Sequence, residues 1–348
     1  MKHPKVSIVA VAVIAACLAG LSATSASADP TPQTKDIIGV GSDTTQIAMN
    51  AVADGYKSGA LYKAGYNATA ASRLVSFDAF NPVTGAKGDM ITLRVGTSAI
   101  ARPDGSGAGK ALLYGTANNT AINFARSSSA LSTAEVAAGL VAYPFALDQV
   151  AAGVAKNSTY APAAISAAQL VKIYDGTYTN WNQLGGADAP ITALLPQSGS
   201  GTRSFFLAQL KAANGNTDVV LASSVIQTVQ EHDASVFAAY TNAVVPFSVG
   251  RAALAANTSL VQVTNTGTAS DGNAAFNAKR AVYNVVRSAD TSKAFVTSLF
   301  AEGAYLCGSS AKGAIASGGL TQLASAADGG VCGIPVTTTA GVSNFTTN

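Results

Sequence analysis

Apolar runs of strand length alternate with segments of helical spacing along much of the chain. Residues 36–40 form a short apolar run that enters a Gly-Ser-Asp-Thr turn, and residues 46–56 continue with helical spacing. Residues 91–95 and 121–125 also have the pattern of strands. Because a buried strand appears as a short apolar run and a helix as a 3.6-residue period, we predict three strands and a helix over 46–56.

Two capping boxes predict the starts of further helices. Ser132 lies three residues before Glu135, and Ser166 lies three residues before Gln169. In this motif each side chain binds the backbone N–H of the other residue, which satisfies groups that a helix start leaves unpaired. The first helix is expected to run through Leu140 and the second to end near position 176.

A long segment over 141–154 is mostly apolar but carries Pro144 and Asp148. We predict that it is a strand passing between two lobes. A chain of this length exceeds a typical single domain, and strands alternating with helices indicate an α/β architecture with mainly parallel sheets.

The first 28 residues have the organisation of a secretory signal. Lys2 and Lys5 precede an apolar run over 6–21, and Ala26-Ser27-Ala28 supplies the small residues that a signal peptidase needs. The run is shorter than the roughly 20 residues that span a bilayer. We predict cleavage after Ala28 and a secreted, extracellular mature protein.

The same region contains a competing signal. Ile14-Ala15-Ala16-Cys17 resembles a lipobox, in which Cys17 would be lipidated and would hold the protein at the cell surface. The apolar run continues through Leu18 and Leu21, past the point where a lipobox should close it. The lipid-anchored form stays open as the alternative.

Removing the signal almost balances the charge. Loss of Lys2 and Lys5 from the 21 Lys and Arg residues leaves 19 positive against 18 negative side chains, a net charge of +1. Such a chain has no general field for nucleic acid or anionic lipid. We therefore expect neither as a partner.

The cysteines agree with export. Without Cys17, the chain keeps Cys307 and Cys332, which flank a stretch rich in Gly, Ser and Ala. An even pair in an oxidising compartment predicts a disulfide that stabilises by about 3 kcal/mol, with two free thiols as the alternative. With His232 as its one remaining histidine and three glutamates, the mature chain carries no visible metal constellation, and we expect no metal or cofactor.

The most informative segment is a glycine–serine turn over 194–206. An apolar strand runs into Gln197-Ser198-Gly199-Ser200-Gly201-Thr202-Arg203, and a helix with Phe205 and Phe206 follows. Glycines let the backbone approach a ligand closely, and the first turn of a helix has unpaired N–H groups that attract anions. The segment predicts an anion site to which Ser200 and Thr202 add hydroxyl donors; a plain flexible turn is the alternative.

Three other turns share this chemistry. Gly41-Ser42-Asp43-Thr44-Thr45 follows the first strand, Asp104-Gly105-Ser106-Gly107 precedes an Ala-Leu-Leu run, and Phe124-Ala125-Arg126-Ser127-Ser128-Ser129 ends another strand. Each alone is also compatible with a helix cap. Four hydroxyl-rich turns at strand ends, with arginines in two of them, favour one shared site.

The order of these motifs resembles the phosphate-binding (PstS-like) solute-binding proteins of the type II periplasmic-binding-protein superfamily. The resemblance extends from about Asp36 to about Ala253, with a looser match beyond. Its most specific part is Thr179-Asn180-Trp181-Asn182, which follows Ile-Tyr-Asp-Gly and precedes Gly-Ser-Gly-Thr-Arg by some 17 residues.

The resemblance implies two α/β lobes that are joined by two strands and close on a ligand. Lobe I would comprise 29–145 plus 250–348, and lobe II 146–249, with the crossings near 143–147 and 245–250. Matching positions for ligand contact lie in the four turns. They are Ser42, Asp43 and Thr44, then Ser106, then Ser128, and finally Ser200, Gly201 and Thr202.

Two departures from the family pattern concern the ligand. Ser128 stands where the family's phosphate receptors carry an aspartate that accepts a hydrogen bond from the ligand, and Pro196 stands where they carry an arginine. We expect Asp43 to be the substitute acceptor. Arg126 and Arg203 are expected to supply positive charge, since arginine suits bidentate contact with oxyanions; a surface salt bridge and a helix-surface residue are their alternatives.

Catalysis is not predicted. The chain has no Gly-x-Ser-x-Gly nucleophile elbow, and the Gly109-Lys110 pair lacks the remainder of a P-loop. His232, between Glu231 and Asp233, is interpreted as part of a solvated helix end, because no partnered serine motif accompanies it.

The sequence therefore predicts a monomeric solute-binding protein that captures phosphate or a related oxyanion, with the permease of an ABC transporter as its partner. A secreted ligand-binding or interaction protein of the same fold without a transport role is the alternative.

Overall fold

The computed structural model describes residues 29–255 and 261–348. The predicted signal, its cleavage site and Cys17 lie outside these residues. Within them, no helix has both the length and the apolar character needed to cross a membrane.

The described residues form strands and short helices in alternation. The strands are β1 (Ile37–Gly41), β2 (Gly55–Ser58), β3 (Leu61–Ala64), β4 (Leu74–Ser76), β5 (Met90–Ile91), β6 (Ile100–Ala101), β7 (Phe124–Ser127), β8 (Leu140–Ala155), β9 (Thr192–Pro196), β10 (Ile226–Val229), β11 (Ala243–Ser248), β12 (Val261–Val263), β13 (Asn277–Arg287) and β14 (Thr321–Gln322). The helices are α1 (Gln46–Asp54), α2 (Ser106–Ala111), α3 (Thr133–Ala137), α4 (Ala167–Tyr174), α5 (Gly201–Ala213), α6 (Val236–Ala239), α7 (Val249–Leu254), α8 (Ala294–Leu299) and α9 (Ser309–Ser317).

One mixed sheet connects the whole fold. Its strand order is β10-β9-β11-β8-β13-β7-β1-β4, and β12 and β14 also pair with β8. The strands are parallel at both ends, where β1 pairs with β4 and β7, and β9 pairs with β10 and β11. The long strands β8 and β13 are antiparallel to each other and to their neighbours. The α/β prediction is confirmed, but the sheet is mixed rather than mainly parallel.

Two groups of buried side chains lie along this sheet. The first consists of residues up to Leu147 and from Ala281 onward, including the edge-on pair Phe124 and Phe300. The second group consists of two smaller clusters with residues from Val150 to Phe276. This division is the two-lobe arrangement that the sequence predicts. Strand β8 passes from one lobe to the other, as predicted for 141–154.

The chain returns to the first lobe later than the resemblance implies. Val261 and Phe276 pack in the cores of the second lobe, although both lie beyond the predicted limit at residue 249. Strand β13 then contributes Ala278 to the second lobe and Ala281 to the first. These contacts favour β13 as the return crossing instead of 245–250, and the lobe limits stay predictions.

The capping boxes are present as predicted. Ser132 and Glu135 begin α3, and Ser166 and Gln169 begin α4, with both reciprocal bonds formed in each case. Helix α3 ends at Ala137 rather than at Leu140, because Gly139 takes a positive φ of 76° and the chain turns into β8.

Three other predicted elements differ in extent. Of 91–95, only Ile91 belongs to a strand, because β5 pairs with β6 over two residues and Val95 is 75% exposed. The strand predicted over 121–125 begins at Phe124, where pairing with β1 starts. The helix predicted over 46–56 ends at Asp54, because Gly55 takes a φ of 100° and begins a hairpin.

The predicted disulfide is present. Cys307 and Cys332 are bonded across a sequence separation of 25, and both are buried against the first lobe's core. Replacing both with serine should lower the free energy of unfolding by about 3 kcal/mol, because the unfolded chain regains the freedom that the loop closure removes. Urea unfolding monitored by circular dichroism measures this. An unchanged midpoint in the double variant would contradict it.

Candidate functional site

Five strand ends converge between the two lobes. The turns that follow β1, β7, β9, β10 and β11 all lie at carboxyl ends of strands, which is where open α/β sheets bind ligands. The side-chain oxygens of Ser42 and Ser128 are 3.2 Å apart, and those of Ser106 and Ser128 are 3.3 Å apart. Thr44 and Thr202 bring the two lobes to 3.5 Å between hydroxyl oxygens. The structure thus brings the four predicted turns together.

A glycine permits this close approach. A Cβ atom at Gly201 would lie 2.3 Å from the hydroxyl oxygens of both Ser106 and Ser128. The backbone N–H of Gly107 donates to the carbonyl of Gly199 at 2.9 Å. The turns of opposite lobes are therefore in direct contact, in a closed arrangement.

Helix α5 directs its N-terminus at the site. Ser200 is its N-cap and accepts a hydrogen bond from the backbone N–H of Arg203 at 3.0 Å. The first N–H groups of a 13-residue helix have no intrahelical partner, and the helix dipole makes that end electropositive. Gly201 and Thr202 are fully buried at this end, so the predicted anion-attracting geometry is present.

An ion pair between Arg280 and Asp148, which the sequence did not predict, contacts the site through Thr202. Arg280 on β13 lies directly opposite Asp148 on β8 in the antiparallel register. Its Nε and Nη2 donate to Asp148 Oδ2 at 2.9 and 2.7 Å, and Nη2 also donates to the Thr202 hydroxyl at 2.8 Å. Ser248 donates to the second Asp148 oxygen at 2.6 Å. Among the described residues, Arg280 Nη1 has no hydrogen-bond partner although it is buried.

The predicted acceptor Asp43, in the first turn, is fully buried. Its Oδ1 pairs with Arg251 Nη1 at 3.0 Å, and Arg251 also donates to its backbone carbonyl. Within the described residues, Asp43 Oδ2 is buried without a hydrogen-bond partner. Burial raises the pKa of Asp43, and the charge of Arg251 offsets only part of this effect.

The Glu231–His232 segment is not a solvated helix end, so that interpretation was wrong. It forms a turn after β10, and both side chains are fully buried. Glu231 Oε1 accepts hydrogen bonds from the hydroxyls of Thr44 at 2.6 Å and Thr202 at 2.5 Å. Burial raises the pKa of Glu231, but the hydrogen bond from His232 and the charge of Arg280 outweigh it and hold that pKa below its ordinary range.

His232 has a defined tautomer. Its Nδ1 faces the backbone N–H of Ser248 at 3.2 Å and must therefore accept. Nε2 then carries the proton and faces the hydroxyl oxygens of Thr44 at 3.1 Å and Thr202 at 3.3 Å. The ring thus acts as a donor within the site.

The two arginines predicted to supply charge point elsewhere. Arg126 is fully buried behind the first turn, where it donates to the backbone carbonyls of Gly41 and Ser42 and to the Ser76 hydroxyl. Arg203 donates to the Pro196 carbonyl and to Gln227 on β10. Both stabilise the turns, and the positive charges at the site come from Arg280 and Arg251.

The missed residues had a weak signal. Asp148 lies in an otherwise mostly buried apolar strand, and Arg280 lies where β13 passes from exposed to buried residues. Their pairing explains why both charges are buried. Arg251 and Glu231 follow the ends of β11 and β10 but lie outside any motif. Among the residues that the structure describes, no group of three or more histidine, cysteine, aspartate or glutamate side chains is arranged to hold a metal ion.

Comparisons with solved structures show the same overall fold. An ABC-type phosphate transport receptor from Vibrio cholerae shares 19% identity, covering 82% of this chain and 99% of that one, with a TM-score of 0.51. A human phosphate-binding apolipoprotein shares 16% identity, covering 82% and 90%, with a TM-score of 0.53. PfluDING, a high-affinity periplasmic phosphate-binding protein solved with phosphate, shares 16% identity, covering 84% and 91%, with a TM-score of 0.52. No curated protein matches the chain.

These features define the two-lobed fold of the type II periplasmic-binding proteins. The model of the PBP superfamily domain matches residues 25–297, and the chain belongs to that superfamily. The predicted fold and family are confirmed. The ligand-contact roles of Ser42, Asp43, Thr44, Ser106, Ser128, Ser200, Gly201 and Thr202 stay predictions.

The Arg280–Asp148 pair makes a testable contribution to stability. Arg280→Gln should lower the free energy of unfolding by about 3–5 kcal/mol, because it leaves the carboxylate of Asp148 buried without its counter-charge. Urea unfolding measures the loss. Lys279→Gln is the control on the same strand, because Lys279 is the exposed neighbour of Arg280 and its replacement removes one positive charge at the surface. Equal losses in both variants would contradict a special role for the buried pair.

Proposed function

We propose that this protein binds phosphate or a closely related oxyanion between its lobes. The observation that carries the proposal is a matched set of buried polar atoms. Among the described residues, Arg280 Nη1 is a buried donor without a partner, and Asp43 Oδ2 is a buried acceptor without a partner. Leaving such groups unsatisfied costs free energy. A ligand that carries both an acceptor oxygen and a hydroxyl satisfies both.

Phosphate has this combination at neutral pH. Its ionised oxygens can accept from Arg280, from the hydroxyls of Ser106, Ser128 and Thr202, and from the N-terminus of α5, while its protonated oxygen donates to Asp43. Sulfate carries no proton at this pH and would place a lone pair against the Asp43 carboxylate. The site is therefore expected to prefer phosphate over sulfate.

The partner is the permease of an ABC transporter, which recognises the solute-bound arrangement of the two lobes. The mature protein is extracellular, either released after cleavage near Ala28 or held through a lipidated Cys17, and it acts as a monomer. The replacement of the family's aspartate and arginine by Ser128 and Pro196 favours one second candidate. It is a secreted binding protein of the same fold without a transport role.

Removal of one site hydroxyl tests the ligand. Thr202→Val keeps the size of the side chain but deletes its hydrogen-bonding group, so phosphate affinity should fall at least about tenfold. Isothermal titration calorimetry of the mature protein with phosphate measures the change. Thr217→Val, at an exposed position after α5, is the matched control and should bind as the wild type does. Unchanged affinity in Thr202→Val would place the ligand elsewhere.

The choice between oxyanions tests the acceptor role of Asp43. Asp43→Asn should lower the ratio of phosphate to sulfate affinity, because an amide can donate to a fully ionised oxygen whereas the carboxylate repels it. Competition titrations with both anions give the ratio. If the variant keeps the wild-type ratio, another group sets the selectivity.

A further inference from the structure

The Glu231 carboxylate lies where an anion would be expected. The hydroxyls of Thr44 and Thr202 come from opposite lobes, and both donate to the same oxygen, Glu231 Oε1. Each hydroxyl has a single hydrogen to donate. The two threonines predicted to hold the solute therefore already hold a side chain of the protein itself.

The surrounding donors complete this arrangement. Arg280 Nη2 donates to Thr202 at 2.8 Å and to Thr44 at 3.3 Å. His232 Nε2 lies within 3.5 Å of Glu231 Oε1 and closer to both hydroxyls. Positive and polar donors thus surround one carboxylate oxygen as they would surround an oxygen of a bound anion.

The charged side chains around Glu231 also indicate that it competes with an anion. Arg251 is paired with Asp43, and Arg280 is paired with Asp148. Glu231 is a third carboxylate, fully buried, and its Oε2 has no hydrogen-bond partner among the described residues. A dianion that enters this site therefore meets two arginines that are already paired with carboxylates, together with the further carboxylate of Glu231. At short range inside a closed cleft, such repulsion is strong.

We infer that Glu231 competes with the solute for the same hydroxyl groups, an inference that rests on the proposed function. Its carboxylate bridges Thr44 and Thr202, holds the lobes closed when no solute is bound, and must leave before an oxyanion can use the same hydroxyls. The affinity of this protein for phosphate is therefore set by the displacement of Glu231. Ser128 and Pro196 are departures at other positions of the site, so this effect is separate from theirs.

A charge-neutral substitution tests the competition. Glu231→Gln keeps the size and one acceptor oxygen but removes the charge, and it should bind inorganic phosphate at least tenfold more tightly than the wild type in calorimetric titrations. Glu302→Gln is the matched control, because Glu302 is an exposed glutamate of the first lobe far from the cleft in sequence and packing. It should bind as the wild type does. Equal or weaker binding by Glu231→Gln overturns the inference and leaves the proposed function standing.

A second measurement does not depend on phosphate affinity. Glu231→Ala removes the bridge between the lobes, so its radius of gyration in small-angle scattering without added anion should exceed that of the wild type, and phosphate should reduce it again. Circular dichroism checks that the variant is folded. A radius of gyration equal to that of the wild type overturns the bridging role. If neither the wild type nor any variant binds phosphate, sulfate or arsenate, the proposed function and the competition fail together, and scattering still decides whether Glu231 closes the lobes.

Discussion

The fold depends on the pairing of two long antiparallel strands, β8 and β13, which run through both lobes. The parallel strands of one lobe are joined to this pair through β7, and those of the other lobe through β11. The turns at the carboxyl ends of both sets therefore face one another. The register of this pair also sets Arg280 against Asp148, at the point where the buried side chains of one lobe give way to those of the other. A shift of β13 by one residue would move Arg280 to the opposite face of the sheet, away from Asp148. The pairing of β8 with β13 therefore joins the two lobes and places the Arg280–Asp148 ion pair at the cleft.

The cleft is a balance of charges rather than a simple positive pocket. Two arginines face three buried carboxylates, and hydroxyl groups from both lobes relay hydrogen bonds between them. Such a network is costly when any member is left unpaired. This explains why the few unpaired atoms at Asp43, Arg280 and Glu231 are informative. They mark the places where the internal network is incomplete and where a ligand, or a rearrangement, would complete it.

The four turns that meet between the lobes could be predicted because their signals are local. Ser42, Ser106, Ser128 and Ser200 each lie in a short turn after a strand or before a helix, and each turn carries its own glycine or hydroxyl pattern. The arginines could not be placed in this way. Arg126 and Arg203 are close to the turns in sequence, but successive residues of a strand face opposite sides, and a helix presents Arg203 to β10. Proximity in sequence thus indicated which turn each arginine lies near, but not the direction in which its side chain points.

The sequence by itself determined the α/β alternation, the capped helix starts, the four polar turns and the pair of cysteines, because each depends on neighbouring residues and on burial alone. Only the tertiary structure decided which charges enter the cleft. Arg280 and Asp148 are 132 residues apart, and Thr44 and Glu231 are 187 apart. Their meeting follows from strand register and from the packing of one lobe against the other, which no local pattern encodes. For the same reason, a histidine and a glutamate interpreted as surface residues prove to be buried at the centre of the site.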